Sequence, residues 1–550
     1  MDKFTDALQA IGFRGDVDES ASTRDYYSHD ASMFEIQPKI VVFPKDSADV
    51  EKLVQVSAGL KKSMPNLSLT ARSAGTDMSG GAINDSVIVD FTKYFSKIGT
   101  VTASSARTQP GVYYRDFEKA TLKRGALMPS FPASRELCTV GGMVSNNSGG
   151  EKSLEFGKTE RYVTELDVVL ADGKSYTLKP LGAAELTKKM KLKTFEGEVY
   201  RNLHKLLSDH YDQIKAAKPN VSKNSTGYNL WNIWDKETGV FDMTQLIIGA
   251  QGTLGFVTSI RFRLVKNKQF SGVLVAFLKN TNRLGEIIVE VMKHKPATFE
   301  SFDNYTLWLS IKFFFSFRKT IGWGNLIKLG LQLIPDALLL LKGIPKLIML
   351  IEFTGDSQDE VDQKIRDMHH ALKRFKISAM EEDNTPAKAW KFRIMRRESF
   401  NLLRKKVKDK HTAPFIDDFV VPPEHLAEFL PKLRTIINKY KLMATVAGHM
   451  GDGNFHVIPL MRLEDKKERA KLQPAMREVN ELVLSYKGSL SGEHNDGLVR
   501  GPWLEAMYGK PVLKLFKDTK HIFDPHNMFN PHKKATSDWK YTFDHVRDHF

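Results

Sequence analysis

Apolar residues in the first half of the chain fall in short runs bounded by glycine, proline and polar residues. Ile40-Val41-Val42-Phe43, Leu67-Ser68-Leu69-Thr70 and Val87-Ile88-Val89-Asp90 have the length and β-branched content of strands. Between the first two, Val50, Leu53, Val54, Val56 and Leu60 recur at helical spacing behind Ser47, which predicts a capped helix over 47–62. Leu166 to Ala171 reads as a strand entering an Asp172-Gly173 turn. Leu246-Ile247-Ile248 reads as a buried strand, followed by a three-glycine turn and a second strand through Phe256-Val257-Thr258. Past 268 the pattern changes to a strand over 272–278 and a helix over 283–293. This irregular mixture predicts α+β architecture. The divisions expected are a helix and connector over 1–35, one domain over 36–267, a second over 268–535, and a tail over 536–550.

At 550 residues the chain exceeds what one core supports. Its 81 Lys and Arg against 65 Asp and Glu give a net charge of +16, but the cations are scattered, with enrichment at 312–346 and 391–410. That distribution suits a basic surface and argues against a nucleic-acid partner. The single cysteine, Cys138, excludes an internal disulfide and a cysteine-based metal cluster, and points to a reducing, cytoplasmic compartment. The charged start Met1-Asp2-Lys3 predicts no signal peptide, and no uncharged apolar run reaches spanning length. Segment 307–350 is apolar, aromatic and basic, and is interrupted by Pro335 and Pro345. It predicts an interfacial helix pair on an anionic lipid surface, with a buried insertion carrying snorkelling lysines as the other reading.

Chemistry concentrates in glycine-rich loops. Arg72 to Gly81 lies between two predicted strands, so it does not open the crossover helix of a dinucleotide fold. Its glycines and small residues allow several N–H groups to face one anion, or simply make a surface turn. Pro129 to Ser134, followed by Thr139 to Gly150 with two Gly pairs around Asn146-Asn147-Ser148, permits close backbone approach to a flat or phosphorylated ligand, or is simply an irregular loop with turn chemistry. Further on, His449 and His456 flank the turn-forming stretch Gly451-Asp452-Gly453-Asn454, and Glu493-His494 follows in a second glycine-flanked loop. Two histidines and a carboxylate are a donor set for a divalent metal with an open position, and a third histidine beside them suits a base.

Loop 72–81, the block from Pro129 to Gly150 and the Gly249–Gly255 turn resemble, in order and spacing, the flavin-binding domain of the vanillyl-alcohol-oxidase (PCMH-type) family. The resemblance implies FAD, two α+β subdomains, and a loop of Arg72, Ala74, Gly75, Thr76, Asp77 and Ser79 that holds the pyrophosphate. It implies that Pro132, Ser134, Thr139, Gly142 and Asn146 line the rest, with Val257 near the adenine. Gln251 stands where relatives usually carry Glu. The histidine motifs, with Arg397-Glu398-Ser399 and Phe523 to Pro531, resemble the C-terminal domain of FAD-linked D-2-hydroxyacid dehydrogenases. That implies a ferredoxin-like α+β cap with a helical C-terminal part. His449, His456 and Glu493 would hold zinc or manganese, His494 would abstract a proton, and Arg397, or Arg396 beside it, would bind the substrate carboxylate. The implied reaction oxidises a D-2-hydroxy acid, D-lactate first, with glycolate or 2-hydroxyglutarate as alternatives, and passes electrons to a quinone or cytochrome-type acceptor at the inner membrane face. Competing readings are a non-redox alkyl-transfer flavoenzyme and a membrane-surface binding module. One departure argues against a dicarboxylate substrate such as 2-hydroxyglutarate, since Ile416 stands where some relatives place a substrate lysine; Asn495 also replaces the glycine usual after that histidine.

Overall fold

The computed structural model describes residues 1–304, 345–383 and 409–549, together with positions 322–324, 327 and 330. Arg396, Arg397 and most of segment 307–350 lie outside the described residues. No helix among the described residues is long and apolar enough to cross a membrane.

The first layer is a four-stranded sheet. Val87–Asp90 lies between Ile40–Phe43 and Leu69–Arg72, parallel to both, and Asp16–Asp18 pairs antiparallel with Ile40–Phe43. Val87–Asp90 is buried throughout, as the continuous apolar run requires. Helix Ser47–Leu60 packs Val50, Leu53 and Val54 on this sheet; its cap is Asp46, whose side chain accepts from Asp49 N, rather than Ser47. A second, all-antiparallel sheet runs in the order Ile98–Val101, Ser105–Thr108, Phe256–Arg263, Val163–Val169, Ser175–Leu178. Two expectations fail here. Val140–Asn146 is a helix capped by Thr139, not an irregular loop, and Thr244–Ile247 is a helical turn, not a strand. Both are short segments buried on several sides, where tertiary packing overrides local pattern.

The second half forms an eight-stranded antiparallel sheet. Its main path is Ala379–Asp383, Phe270–Leu278, Leu347–Gly355, Thr298–Asp303, Met443–His449, Asn454–Met461, His411–Thr412, and Phe419–Val420 pairs with Asn454–Met461. Leu274, Ala276, Met349 and Ile351 face a layer of helices that includes Leu284–Lys293, Gln358–Lys373 and Leu426–Lys439. Val273, Val275, Phe302 and Leu350 project to the other side as a smaller apolar cluster. That side faces the glycine-rich loops, so one layer caps the other. The last elements fold back over both. Asn530 Nδ2 donates to the carbonyls of Gly81 and Gln251, Lys534 Nζ reaches Asn495 and Asp496, and Val546 bridges Phe34.

Candidate active site

Loop Ser73–Gly81 is held open from within. The Asp77 carboxylate accepts from Ser79 N at 3.0 Å, Gly81 N at 2.7 Å and Asn146 Nδ2 at 2.8 Å. Gln251 Nε2 donates to Ser79 Oγ and Asn146 Oδ1, while its Oε1 accepts from Gly497 N at 2.9 Å. An amide performs both roles; a carboxylate would accept only. Gly75, at φ +68°, lies so close to the Arg72 guanidinium that a Cβ would sit 2.4 Å from Nη2. Arg72 itself is spent on backbone, donating to His29 O at 2.8 Å.

A cavity of about 310 Å³ is lined by Ala74, Gly75, Thr76 and Asp77 of this loop, by Pro132, Ser134, Thr139, Gly142 and Asn146, and at one end by His456, Glu493 and His494. Val257 lines an adjoining hollow that shares Ala71, Ser73, Ser145 and Gly252 with it. Ser79 is buried behind the loop rather than on the wall. The lining fits a flavin dinucleotide in being long, joining a glycine loop to a histidine cluster. Lys533, outside this lining, has its Nζ buried without a hydrogen-bond partner, and Asp30, Asp85 and Asp77 support its charge against burial.

His449 and His456 lie on the two strands of one hairpin, Met443–His449 and Asn454–Met461, joined by a turn through Gly453 at φ +67°. Each imidazole is fixed from behind. His449 Nδ1 lies 2.6 Å from Glu300 Oε1, and His456 Nδ1 lies 3.2 Å from Asp417 Oδ1. Both Nε2 atoms point at Glu493, at 3.4 and 4.0 Å from its carboxylate oxygens. A carboxylate on Nδ1 fixes the tautomer that leaves Nε2 as a metal ligand. His494 stacks on His456 with ring centroids 5.1 Å apart, and its Nδ1 lies 2.8 Å from Asp417 Oδ2, which leaves Nε2 for a substrate. Asp418 also lies within 4.8 Å of His456, Glu493 and His494 by ligand-type atoms. Its oxygens, however, already accept from Glu493 N, His494 N and Ser491 Oγ, so Asp418 shapes the loop; His456, Glu493 and His494 remain of that cluster, and His449, expected as a ligand from the sequence, lies outside it with its Nε2 3.4 Å from Glu493.

The electrostatics follow from burial and from the carboxylates and ammonium packed around the histidines. Burial opposes charge on His494, but Asp418 and Asp417 overcome it and raise the imidazole to about 9. Burial likewise opposes charge on His449, and Glu300 leads the groups that raise it to about 9. Burial would push the Glu493 carboxyl up, yet Lys223 and His449 hold it well below the usual range. Lys223 Nζ is buried between Glu493 Oε1 at 2.7 Å and Asp452 Oδ2 at 2.9 Å.

Of the described candidates from the sequence, Val257 lines the adjoining hollow and Arg72 and Ser79 lie behind the loop; the others lie along the cavity or at its histidine end. Sequence reasoning missed Glu300, Asp417, Lys223 and Lys533. Only Asp417 carried a local signal, its adjacency to Asp418 before the histidine motif. Ile416 is buried in the cap core and Asn495 adopts φ +68°, the conformation for which glycine is usual.

A profile of FAD linked oxidases, C-terminal domain, matches residues 268–534, and an FAD binding domain profile matches 38–179. A D-2-hydroxyglutarate dehydrogenase of Pseudomonas putida is 28% identical over 97% of this chain and 52% of its own length. The chain therefore spans about half the length of that relative. Glycolate oxidase subunit GlcD of Bacillus subtilis is 26% identical, covering 95% of this chain and 94% of its own. The solved 4-ethylphenol oxidase of Gulosibacter chungangensis superposes with a TM-score of 0.68 at 14% identity, over 98% of each chain, and so shares the fold. With a flavin domain in its first half, an oxidase cap in its second and one cavity joining them, the chain belongs to the FAD-linked oxidases of the PCMH type.

Proposed function

We propose that this chain oxidises a D-2-hydroxy acid to the 2-oxo acid with FAD as the hydride acceptor. What supports this reading above all is that His456, Glu493 and His494 close one end of the cavity whose other walls are the glycine loop and the Pro132–Asn146 block. The relatives named for 2-hydroxyglutarate and glycolate fit the same class. D-lactate, expected first from the sequence, stays in the panel to be tested.

The chain's residues divide the work. His494, oriented through Nδ1 by Asp417, takes the hydroxyl proton at Nε2. Arg397, or Arg396 beside it, is assigned the substrate carboxylate, which a guanidinium binds in bidentate fashion. His449, His456 and Glu493 would hold a divalent ion, which supplies charge that acidifies the substrate hydroxyl and favours the neutral form of His494. FAD supplies the two-electron acceptor for the α-hydrogen. The cap sheet lines this end of the cavity through His456 and Ile458. Reoxidation by a quinone or cytochrome-type acceptor, with segment 307–350 meeting an anionic membrane, completes the proposal.

Anaerobic stopped-flow mixing of the flavin-loaded protein with D-lactate, L-lactate, glycolate and D-2-hydroxyglutarate tests it. Flavin bleaching by a D-acid, and its suppression by a chelator, are expected. Protein that holds FAD yet is bleached by none of these acids refutes it. For the acceptor step, loss of binding to anionic vesicles on deleting 307–344 is expected; unchanged binding refutes the membrane role.

A further inference from the structure

Beyond the histidines lies a second cavity of about 480 Å³, far larger than the methyl group of lactate occupies. One wall is the helix-free face of the cap sheet, through Val273, Leu350, Ala447 and Ile458; the other is formed by Phe131–Arg135 and Glu151-Lys152 of the flavin domain. His449 and His456 stand at its inner end.

Most ionised groups in this lining are committed. Glu300 orients His449, and Lys268 is paired with Glu155. Arg135 lies 3.8 Å from Glu118 and 3.5 Å from Glu136. Glu352 accepts from Thr298 Oγ1 at 3.4 Å. Glu151 is exposed to solvent. Lys152 is half-buried and has no carboxylate partner among the described residues; its ammonium lies 5.8 Å from the centroid of the Phe131 ring.

The position of Lys152 is set by the metal-type cluster itself. Gly149, three residues earlier, is packed so tightly on Glu493 that a Cβ would sit 3.3 Å from Cγ. Gly150 O accepts from Lys223, which is ion-paired with Glu493. Three residues of chain span at most about 10 Å, so the Lys152 backbone is tethered within that distance of Gly149. Position 416, where the sequence lacks the lysine of some relatives, is buried in the cap core and takes no part.

We infer that Lys152 is the specificity-determining residue that binds a second carboxylate, at the far end of the substrate side chain. The preferred substrate is then a dicarboxylic 2-hydroxy acid. Its hydroxy-acid end lies at the histidines, and its distal carboxylate meets Lys152 above Phe131. The inference rests on the functional reading above. A charged hydrogen bond of this kind is worth about 10- to 100-fold in specificity.

The test compares the flavin-loaded wild type with Lys152→Ala and Lys152→Arg. The readouts are kcat/KM for D-2-hydroxyglutarate relative to D-lactate, and the Kd of 2-oxoglutarate relative to pyruvate, read from the flavin absorbance. Wild type is expected to prefer the dicarboxylate. Lys152→Ala is expected to lower the kcat/KM ratio about 10- to 100-fold, chiefly through KM, and to weaken 2-oxoglutarate more than pyruvate by a similar factor; Lys152→Arg restores most of both. A wild-type preference for D-lactate, or losses in Lys152→Ala that are equal for both acids, overturns the inference while leaving the hydroxy-acid reaction standing. Failure of every acid to reduce the flavin in wild type removes the functional reading and this inference with it.

Discussion

Lys223 is paired with Glu493, the carboxylate proposed to take a divalent cation, and that makes the site's charge balance measurable. The Lys223 ammonium is buried, 1% exposed, with Glu493 Oε1 at 2.7 Å, Asp452 Oδ2 at 2.9 Å and Gly150 O at 3.2 Å. Lys223→Met keeps the volume and removes the charge. It leaves Glu493, already deep in the protein, without its nearest compensating cation. Removing one partner of a buried ion pair costs about 3–5 kcal/mol. With about 2.1 cal/mol/K of unfolding entropy per residue over 550 residues, each kcal/mol shifts Tm by about 1 °C, so Tm falls by about 3–4 °C in chelator. A divalent ion among His449, His456 and Glu493 replaces the missing charge, so adding Mn²⁺ or Zn²⁺ is expected to raise Tm more in Lys223→Met than in wild type. Differential scanning calorimetry in EDTA and in saturating metal measures both quantities. A drop below about 2 °C, or an equal metal increment in the two proteins, refutes the reasoning, because it would mean that Glu493 does not depend on either cation.

Further outcomes follow from the same geometry. His494→Asn is expected to retain flavin, scored by absorbance, and to slow flavin reduction by the preferred acid about 10²- to 10⁴-fold, the usual worth of a positioned base. Glu300→Gln and Asp417→Asn, which weaken the anchors on His449 and His456, should each reduce metal affinity about 10- to 100-fold in competition with a chromogenic chelator. Burial pushes the Cys138 thiol up to about 12, so near neutral pH iodoacetamide should leave the native protein unlabelled and label it only after unfolding, as read by mass spectrometry.

The parts of the fold legible in the sequence are those where one run of residues carries its own instruction. Val87–Asp90 is apolar because it is covered on both sides, and the loop after Arg72 is rich in glycine because Gly75 and Gly80 adopt positive φ. The histidine hairpin was legible for the same reason, since Gly453 reverses the chain between His449 and His456. Val140–Asn146 was not: paired glycines disfavour a helix, and the helix exists because Gly141 packs on Pro110, where a Cβ would be 2.5 Å away. Nor were the groups that make the site work as a unit. Glu300 reaches His449 across 149 residues of sequence, and Lys223 reaches Glu493 across 270, so no local spacing points to either.

The returning strap at 530–534 bears on when the protein becomes competent. Asn530 ties Gly81 to Gln251, and Lys534 ties the Asn495-Asp496 turn. Every segment so joined leaves the ribosome before its fastener does. A nascent chain ending at Phe523 has the strands of both halves but lacks these ties across the glycine loop and the Glu493-His494 turn. Cofactor loading is therefore expected only once residues 530–534 have emerged, and pulse-labelled chains stalled before residue 530 should lack flavin while already resisting protease in both halves.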